Sequence, residues 1–255
     1  MLLSDEQLSS WVELGYVIID GMVEDAGPPR AAAALATARA RANEWEHGVR
    51  TAKTPFPPYC QDAAEDVWAV HSIIHPDLGD DTLLDWYGSE AVRSACAQLL
   101  GVELSDLQLE LANLLVNPTR IKFGLPWHRD IVPSDATEEE EIAALSEGAR
   151  EQTGVQWNTA LYDDACFICI PGSHRRPRTA TERAATDPSH FGANTGDNLG
   201  ELSDQLVVEL KAGQTIFYNP NLLHRGTYDP TVQRELSLFI SFYNMTGFST
   251  NLMIF

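Results

Sequence analysis

A chain of 255 residues, 44% of them hydrophobic, is long enough to enclose a sizeable core as one domain. Its formal net charge of −20 repels nucleic acid and anionic membrane surfaces, so neither is an expected partner. No stretch of about 18 apolar residues occurs, so no membrane span is expected. The opening Met1-Leu2-Leu3-Ser4-Asp5-Glu6 lacks the basic start and long apolar run of a signal peptide, and a cytoplasmic chain with reduced thiols is the expectation. Cys166 and Cys169 make a lone C-x-x-C in a strand-like run, too little for a zinc or redox site.

Ser4, with Gln7 three residues on, predicts a capped helix over residues 4–14, closed by Gly15. Tyr16-Val17-Ile18-Ile19 predicts a short strand. The Ala- and Arg-rich stretch 31–47 predicts a second helix, and residues 54–59 a proline-rich loop. An apolar, β-branched run predicts a strand over 67–74, with His71 in it. Residues 82–87 and 90–100 predict two helices split by Gly88-Ser89, the second ended by Gly101. Beyond this point strands are predicted at 107–117, 155–162, 166–170, 206–210, 214–218 and 234–243. Residues 137–150 read as a charged helix or loop, 175–200 as a long irregular loop, and 222–226 as leading into a turn. Helices first and short strands afterwards define an α+β, mainly β chain. The expected architecture is a double-stranded β-helix (jelly roll, cupin-like) core over about 105–246. N-terminal helices from about 1–104 pack on it, within one domain of 1–255.

Chemistry concentrates in Leu125-Pro126-Trp127-His128-Arg129-Asp130. On an extended segment residues i and i+2 share a face, so the His128 imidazole and the Asp130 carboxylate converge, with Trp127 beside them. That is two thirds of a 2-His-1-carboxylate facial triad, the ligand set of non-haem Fe(II) oxygenases. The second histidine must come from elsewhere. His224 follows an apolar strand and precedes another, and is the leading candidate; His174, in the turn Pro171-Gly172-Ser173-His174, is the rival. Arg234 suits an oxygenase that consumes 2-oxoglutarate, because a guanidinium offers two parallel hydrogen bonds to the carboxylate remote from the metal. A surface arginine on a strand is the plain alternative.

The ordered set of His128-x-Asp130, Ile170-Pro171-Gly172-Ser173-His174, His224-Arg225-Gly226 and Arg234 resembles the phytanoyl-CoA dioxygenase (PhyH-like) family of Fe(II)/2-oxoglutarate oxygenases. Leu3-Ser4-Asp5-Glu6-Gln7-Leu8 and Gly15-Tyr16-Val17-Ile18 resemble the opening of that family, so the likeness covers most of the chain. It implies Fe(II) held by His128, Asp130 and His224, with 2-oxoglutarate and O2 as co-substrates and Arg234 on the distal carboxylate of 2-oxoglutarate. It further implies a 2-oxoglutarate contact from Asn158 or Trp157 and a pocket side chain near His71, which equally suits a core histidine. Trp127, Trp157 and His71 are the candidates for lining a substrate pocket. The turn Asp163-Asp164-Ala165-Cys166 is shorter than the family's.

The expected activity is therefore hydroxylation of an unactivated C–H bond in a small organic metabolite, with release of succinate and CO2, by a monomer or homodimer. Asp130 fills the position that a halide would need, which favours hydroxylation, desaturation or ring formation over halogenation. The alternatives are a cupin-like small-molecule binding protein without turnover and a 2-oxoglutarate-independent metal dioxygenase. Residues 133–153 and 175–200 are the stretches expected to cover the site. The second carries Arg175, Arg176, Arg178 and Arg183, which either grip an anionic substrate or pair with the chain's own carboxylates.

Overall fold

The computed structural model describes residues 2–22, 49–51, 67–70, 82–116, 122–146, 154–187, 200–229, 231 and 238–244. The expected helix at 31–47, the loop at 54–59, His71 and Arg234 lie outside these residues.

Helix α1 (Asp5–Leu14) begins as its sequence requires. Ser4 Oγ accepts a hydrogen bond from the Gln7 amide at 3.2 Å, and the Gln7 side chain accepts one from the Ser4 amide at 2.8 Å. It ends at Gly15, whose φ of 82° is strained for any residue with a Cβ. A Cβ there would also lie 2.4 Å from His174 Nδ1, so the close approach of His174 demands glycine a second time. Strand β1 (Tyr16–Ile19) follows directly.

The other described strands are β2 (Val49–Thr51), β3 (Val67–Val70), β4 (Leu109–Val116), β5 (Phe123–Gly124), β6 (Gln156–Thr159), β7 (Phe167–Cys169), β8 (Leu206–Val207), β9 (Thr215–Tyr218), β10 (His224–Tyr228) and β11 (Leu238–Asn244). They form two antiparallel sheets. The larger has the order β1-β9-β6-β11-β4-β3-β2 and the smaller β5-β10-β7-β8. The two do not join into a closed barrel among the described residues. Helices α2 (Thr82–Tyr87) and α3 (Glu90–Leu100) precede β4. Two short helices, α4 (Glu138–Ala144) and α5 (Ala180–Ala185), lie between strands. No described helix is long and apolar enough to cross a membrane.

The larger sheet separates two interiors by the alternation of its side chains. Val17, Ile19, Trp157 and Phe217 point to one face, where Trp11 of α1, Tyr87 of α2 and Val92, Ala95, Cys96 and Leu99 of α3 cover them. Ile216 and Tyr218 point the other way and pack with Phe167, Cys169, Leu222 and Tyr228 of the smaller sheet's side. Register locks this arrangement. Trp157 pairs with Phe217, and Asn158 with Ile216, so a slip of one residue would exchange the faces. The site lies in the second interior, between the sheets.

Two elements differ from the sequence expectation, and one alternative that the sequence left open is settled. Residues expected to lead into a turn after His224 form β10, because they pair with β7 on one side and β5 on the other. The irregular loop expected at 175–200 contains α5, started by a capping box in which Thr179 and Glu182 exchange hydrogen bonds. The charged stretch after Thr137 resolves as helix α4, started by the same motif between Thr137 and Glu140.

Candidate metal centre

His128 and His224 are opposite partners in an isolated antiparallel bridge. Each amide donates to the other's carbonyl at 3.1 Å. Direct opposition places both imidazoles on one face, with ring centroids 4.4 Å apart. Asp130 is two residues beyond His128, and its amide donates to the Pro220 carbonyl at 2.8 Å, which holds the carboxylate toward the histidines. Asp130 Oδ1 is 3.8 Å from His128 Nε2, and Oδ2 is 3.4 Å from His224 Nε2. One ligand atom from each residue lies within 4.8 Å of the others.

The tautomers follow from the backbone. His128 Nδ1 lies 2.7 Å from the Pro126 carbonyl and His224 Nδ1 lies 2.8 Å from the Leu222 carbonyl, each two residues upstream. A carbonyl only accepts, so each Nδ1 carries a proton, and in the neutral imidazole Nε2 then presents the lone pair. Burial, followed by the neighbouring His128, pushes the His224 pKa down to about 4, against the pull of Asp130, so its imidazole is neutral at ordinary pH. Asp130 Oδ2 is buried without a hydrogen-bond partner. Two lone-pair nitrogens and a carboxylate thus face one another with no proton between them. Such a set repels itself unless a cation stands at its focus, and imidazole with carboxylate is a donor set that fits Fe(II). The hydrogen bond at each Nδ1 is the kind of outer support that orients a histidine ligand.

The wall around His224 comes from both sheets. Phe167 stacks on its ring at 5.5 Å between centroids and Tyr218 tilts against it at 5.0 Å. The Tyr218 hydroxyl donates to Asn158 Oδ1 at 3.5 Å, so Asn158 faces the same interior as the candidate ligands. Phe167 and Tyr218 carry no motif in the sequence; their only signal is strand parity relative to Asn158 and His224.

Two expected pocket residues point elsewhere. Trp127 directly precedes His128, and successive residues of an extended segment face opposite ways. Its ring is buried with Ile168, Ile170, Leu202 and Leu223, its Nε1 donates to the Gly200 carbonyl at 2.7 Å, and the Arg225 guanidinium lies 4.8 Å above it. Trp157 is fully buried on the helix-covered face, between Tyr87 and Phe217, each 5.6 Å away. His174, the rival ligand, sits instead at the C-terminus of α1, with Nε2 3.2 Å from the Val12 carbonyl. Three of the four arginines considered for gripping a substrate anion meet the chain's own carboxylates: Arg176 pairs with Glu182 at 2.7 Å, Arg178 bonds Glu141, and Arg183 reaches Glu141 at 3.0 Å. Cys166 and Cys169 are both buried as free thiols, and burial pushes Cys169 up to about 12, so neither offers a thiolate.

A two-histidine, one-carboxylate cluster between two antiparallel sheets defines a class of metal-dependent proteins. Within that class the sequence matches the family model of phytanoyl-CoA dioxygenase (PhyH) over residues 11–229, and the chain belongs to that family. No curated protein sequence matches it. Solved structures share the fold at low identity. AviO1 from Streptomyces viridochromogenes Tue57 is 15% identical, with a TM-score of 0.66 over 99% of this chain and 99% of its own. EctD from S. alaskensis with 2-oxoglutarate and 5-hydroxyectoine is 14% identical, with a TM-score of 0.65 over 96% of this chain and 76% of its own. The epimerase SnoN in complex with Fe3+, alpha ketoglutarate and nogalamycin RO is 19% identical, with a TM-score of 0.58 over 95% of this chain and 83% of its own.

Proposed function

We propose that this chain is an Fe(II)/2-oxoglutarate-dependent oxygenase that hydroxylates an unactivated C–H bond of a small organic metabolite, converting 2-oxoglutarate and O2 to succinate and CO2. One observation carries the reading: two Nε2 lone pairs, fixed by Nδ1–H donation to carbonyls, converge with an unsatisfied Asp130 oxygen. His128, Asp130 and His224 would hold Fe(II). When bound, the iron supplies the redox chemistry that activates O2. The protein's own part is placement. The backbone bridge fixes the spacing of the two imidazoles, and Phe167 and Tyr218 keep water from His224. Asn158, which shares the interior of the candidate ligands, is assigned to a 2-oxoglutarate carboxylate, and Arg234 to the distal one. In this reading the two sheets are the halves of a double-stranded β-helix in one domain, working as a monomer or homodimer on a small molecule, without nucleic acid or membrane.

Similarity to an epimerase supports a second outcome, hydrogen abstraction that ends in stereoinversion or ring closure instead of hydroxylation. Mass spectrometry separates these, since hydroxylation adds one oxygen atom, ring closure removes two hydrogen atoms, and stereoinversion, with a hydrogen atom returned from an added reductant, leaves the mass unchanged.

The test is anaerobic loading with Fe(II), addition of 2-oxoglutarate and O2, and quantitation of succinate with a panel of small-molecule substrates. Succinate at background throughout would favour a binding protein without turnover. Arg234→Ala should raise the KM for 2-oxoglutarate about 10–100-fold, the worth of a charged hydrogen bond. Unchanged activity in that variant, without 2-oxoglutarate dependence, would favour a 2-oxoglutarate-independent dioxygenase.

A further inference from the structure

Behind the candidate ligands lies a buried polar layer that the proposed reaction does not use. Its centre is Glu141, fully buried on α4. The Glu141 carboxylate accepts from the Arg178 amide at 2.8 Å, from the Arg178 guanidinium, and from Arg183 Nη2 at 3.0 Å; Arg129 Nη1 lies 3.9 Å away. Three guanidiniums thus share one carboxylate, and much of their remaining donor capacity goes to main-chain carbonyls. Arg178 donates to those of Pro133, Ser134 and Ala136, and Arg183 to that of Ala136. Arg129 Nη2 donates to the Ser173 and Arg176 carbonyls, both at 2.9 Å.

Ser173 is the second feature. It is completely buried, and its Oγ accepts from the Leu223 amide at 2.8 Å. Its place in the chain is set by Gly172, whose φ is 75°, and by the bond from the Gly172 amide to the Leu14 carbonyl at 2.8 Å. Arg129 is the residue between His128 and Asp130, and Leu223 is the residue before His224. One buried serine therefore touches, from behind, the immediate neighbour of every candidate ligand. The Pro-Gly-Ser-His turn, which holds no ligand, gains a role by this contact.

We infer that Arg129 and Ser173 are positioning residues, a brace that sets the separation of the 128–130 segment from His224, with Glu141 as its buried anchor. The inference rests on the metal reading above. The backbone bridge ties His128 to His224, and the bond from the Asp130 amide to the Pro220 carbonyl holds one side of the 129–130 step, which leaves the Arg129 side to be fixed. Arg129 restrains that step through two carbonyls on a turn that Ser173 in turn fixes to β10. Metal–ligand distances tolerate shifts of only about 0.2 Å, so a loosened brace should appear first as weaker metal binding.

The experiment titrates the full chain anaerobically with Mn(II) or Fe(II), without 2-oxoglutarate or substrate, below the unfolding temperature of each variant. Arg129→Met and Ser173→Ala should each weaken metal affinity about 10–100-fold, the usual effect of removing support behind a ligand. Arg129→Lys keeps the charge but loses the fork, so it should fold and bind with intermediate affinity. The double variant should lose less than the product of the single losses, because both act through one turn. Thr159→Val is the control. It breaks a buried 2.7 Å hydroxyl pair with Thr215 in the larger sheet, and it should lower Tm while leaving metal affinity unchanged. Equal affinity in wild type, Arg129→Met and Ser173→Ala would overturn the brace, as would an equal loss in Thr159→Val. A wild-type chain that binds no metal would overturn the metal reading itself, and the brace with it.

Discussion

The two sides of the segment 128–130 contrast in which polar groups they bring together. On the front, two imidazole lone pairs and a carboxylate face one another, and Asp130 Oδ2 has no hydrogen-bond partner. On the rear, donors meet acceptors: Glu141 accepts from two arginines and Arg129 donates to two carbonyls, with Arg129 Nε and Nη1 left over. Burial raises the stakes on both sides, because an unpaired polar group in a protein interior costs about 1–3 kcal/mol. The rear offsets most of that cost by pairing donors with acceptors of its own chain. The front brings acceptors together with no donor among them, which fits a donor set for a cation. A side whose donors and acceptors match suits stability and placement, and a side of acceptors alone suits metal binding.

The contrast is broken most directly at the front. Asp130→Ala or His224→Ala should abolish metal binding, and metal analysis of the purified variants checks this; retained stoichiometry would remove the ligand assignment. At the rear, Glu141→Gln should cost about 3–5 kcal/mol of stability, since it leaves the buried guanidiniums of Arg129 and Arg178, and the partly exposed one of Arg183, without their carboxylate. Urea denaturation measures this, and a variant as stable as wild type would show that the layer is not what holds α4 and α5 together.

The two faces of β6 sharpen the same distinction. Trp157→Ala should cost about 3–5 kcal/mol, with the KM for 2-oxoglutarate unchanged, because Trp157 packs under the helices. Its neighbour Asn158 should behave the opposite way: Asn158→Ala should raise that KM about 3–10-fold, the worth of one hydrogen bond, with a smaller loss of stability. If both variants move KM alike, the parity argument fails.

The same contrast can be broken without substitution, through pH in the metal-free protein. The folded-state pKa of His224, about 4, is below its ordinary value of 6.5, so the unfolded chain takes up the proton first. Stability should therefore be level above about pH 6.5 and fall toward pH 4, by about 2 kcal/mol between pH 7 and 5. Denaturation curves at those two pH values test it, and bound metal should flatten the slope by competing with the proton.

Much of this was legible in the residues, wherever the determining interaction is local. The capping box at Ser4 and Gln7, the left-handed Gly15 and the shared face of His128 and Asp130 all follow from spacings of a few residues. The start of α5 was equally local, since Thr179 and Glu182 stand three apart in the order of a capping box, but the polar composition around them masked it. Arg225 shows the other limit. Its sequence position beside His224 says only that it points away; that it is 1% exposed and lies over Trp127 depends on a segment almost a hundred positions earlier in the chain.

What the sequence by itself determined, then, is the ligand chemistry and the alternation that turns it inward. A carboxylate two residues from an imidazole has one geometry on an extended chain. The sequence ranked His224 above His174 as their partner, and the tertiary structure supplies the contacts that separate the two. His224 is brought opposite His128 by a backbone bridge, while His174 is drawn to the end of α1. Only folding found the carboxylates of the arginines, at Glu141 and Glu182, and set the face of Trp157 through the pairing of β6 with β9, whereas Trp127 is turned away locally by its place beside His128. The reason is physical: periodicity sets the face a side chain takes, but what stands opposite that face is set by long-range pairing, which no local spacing encodes.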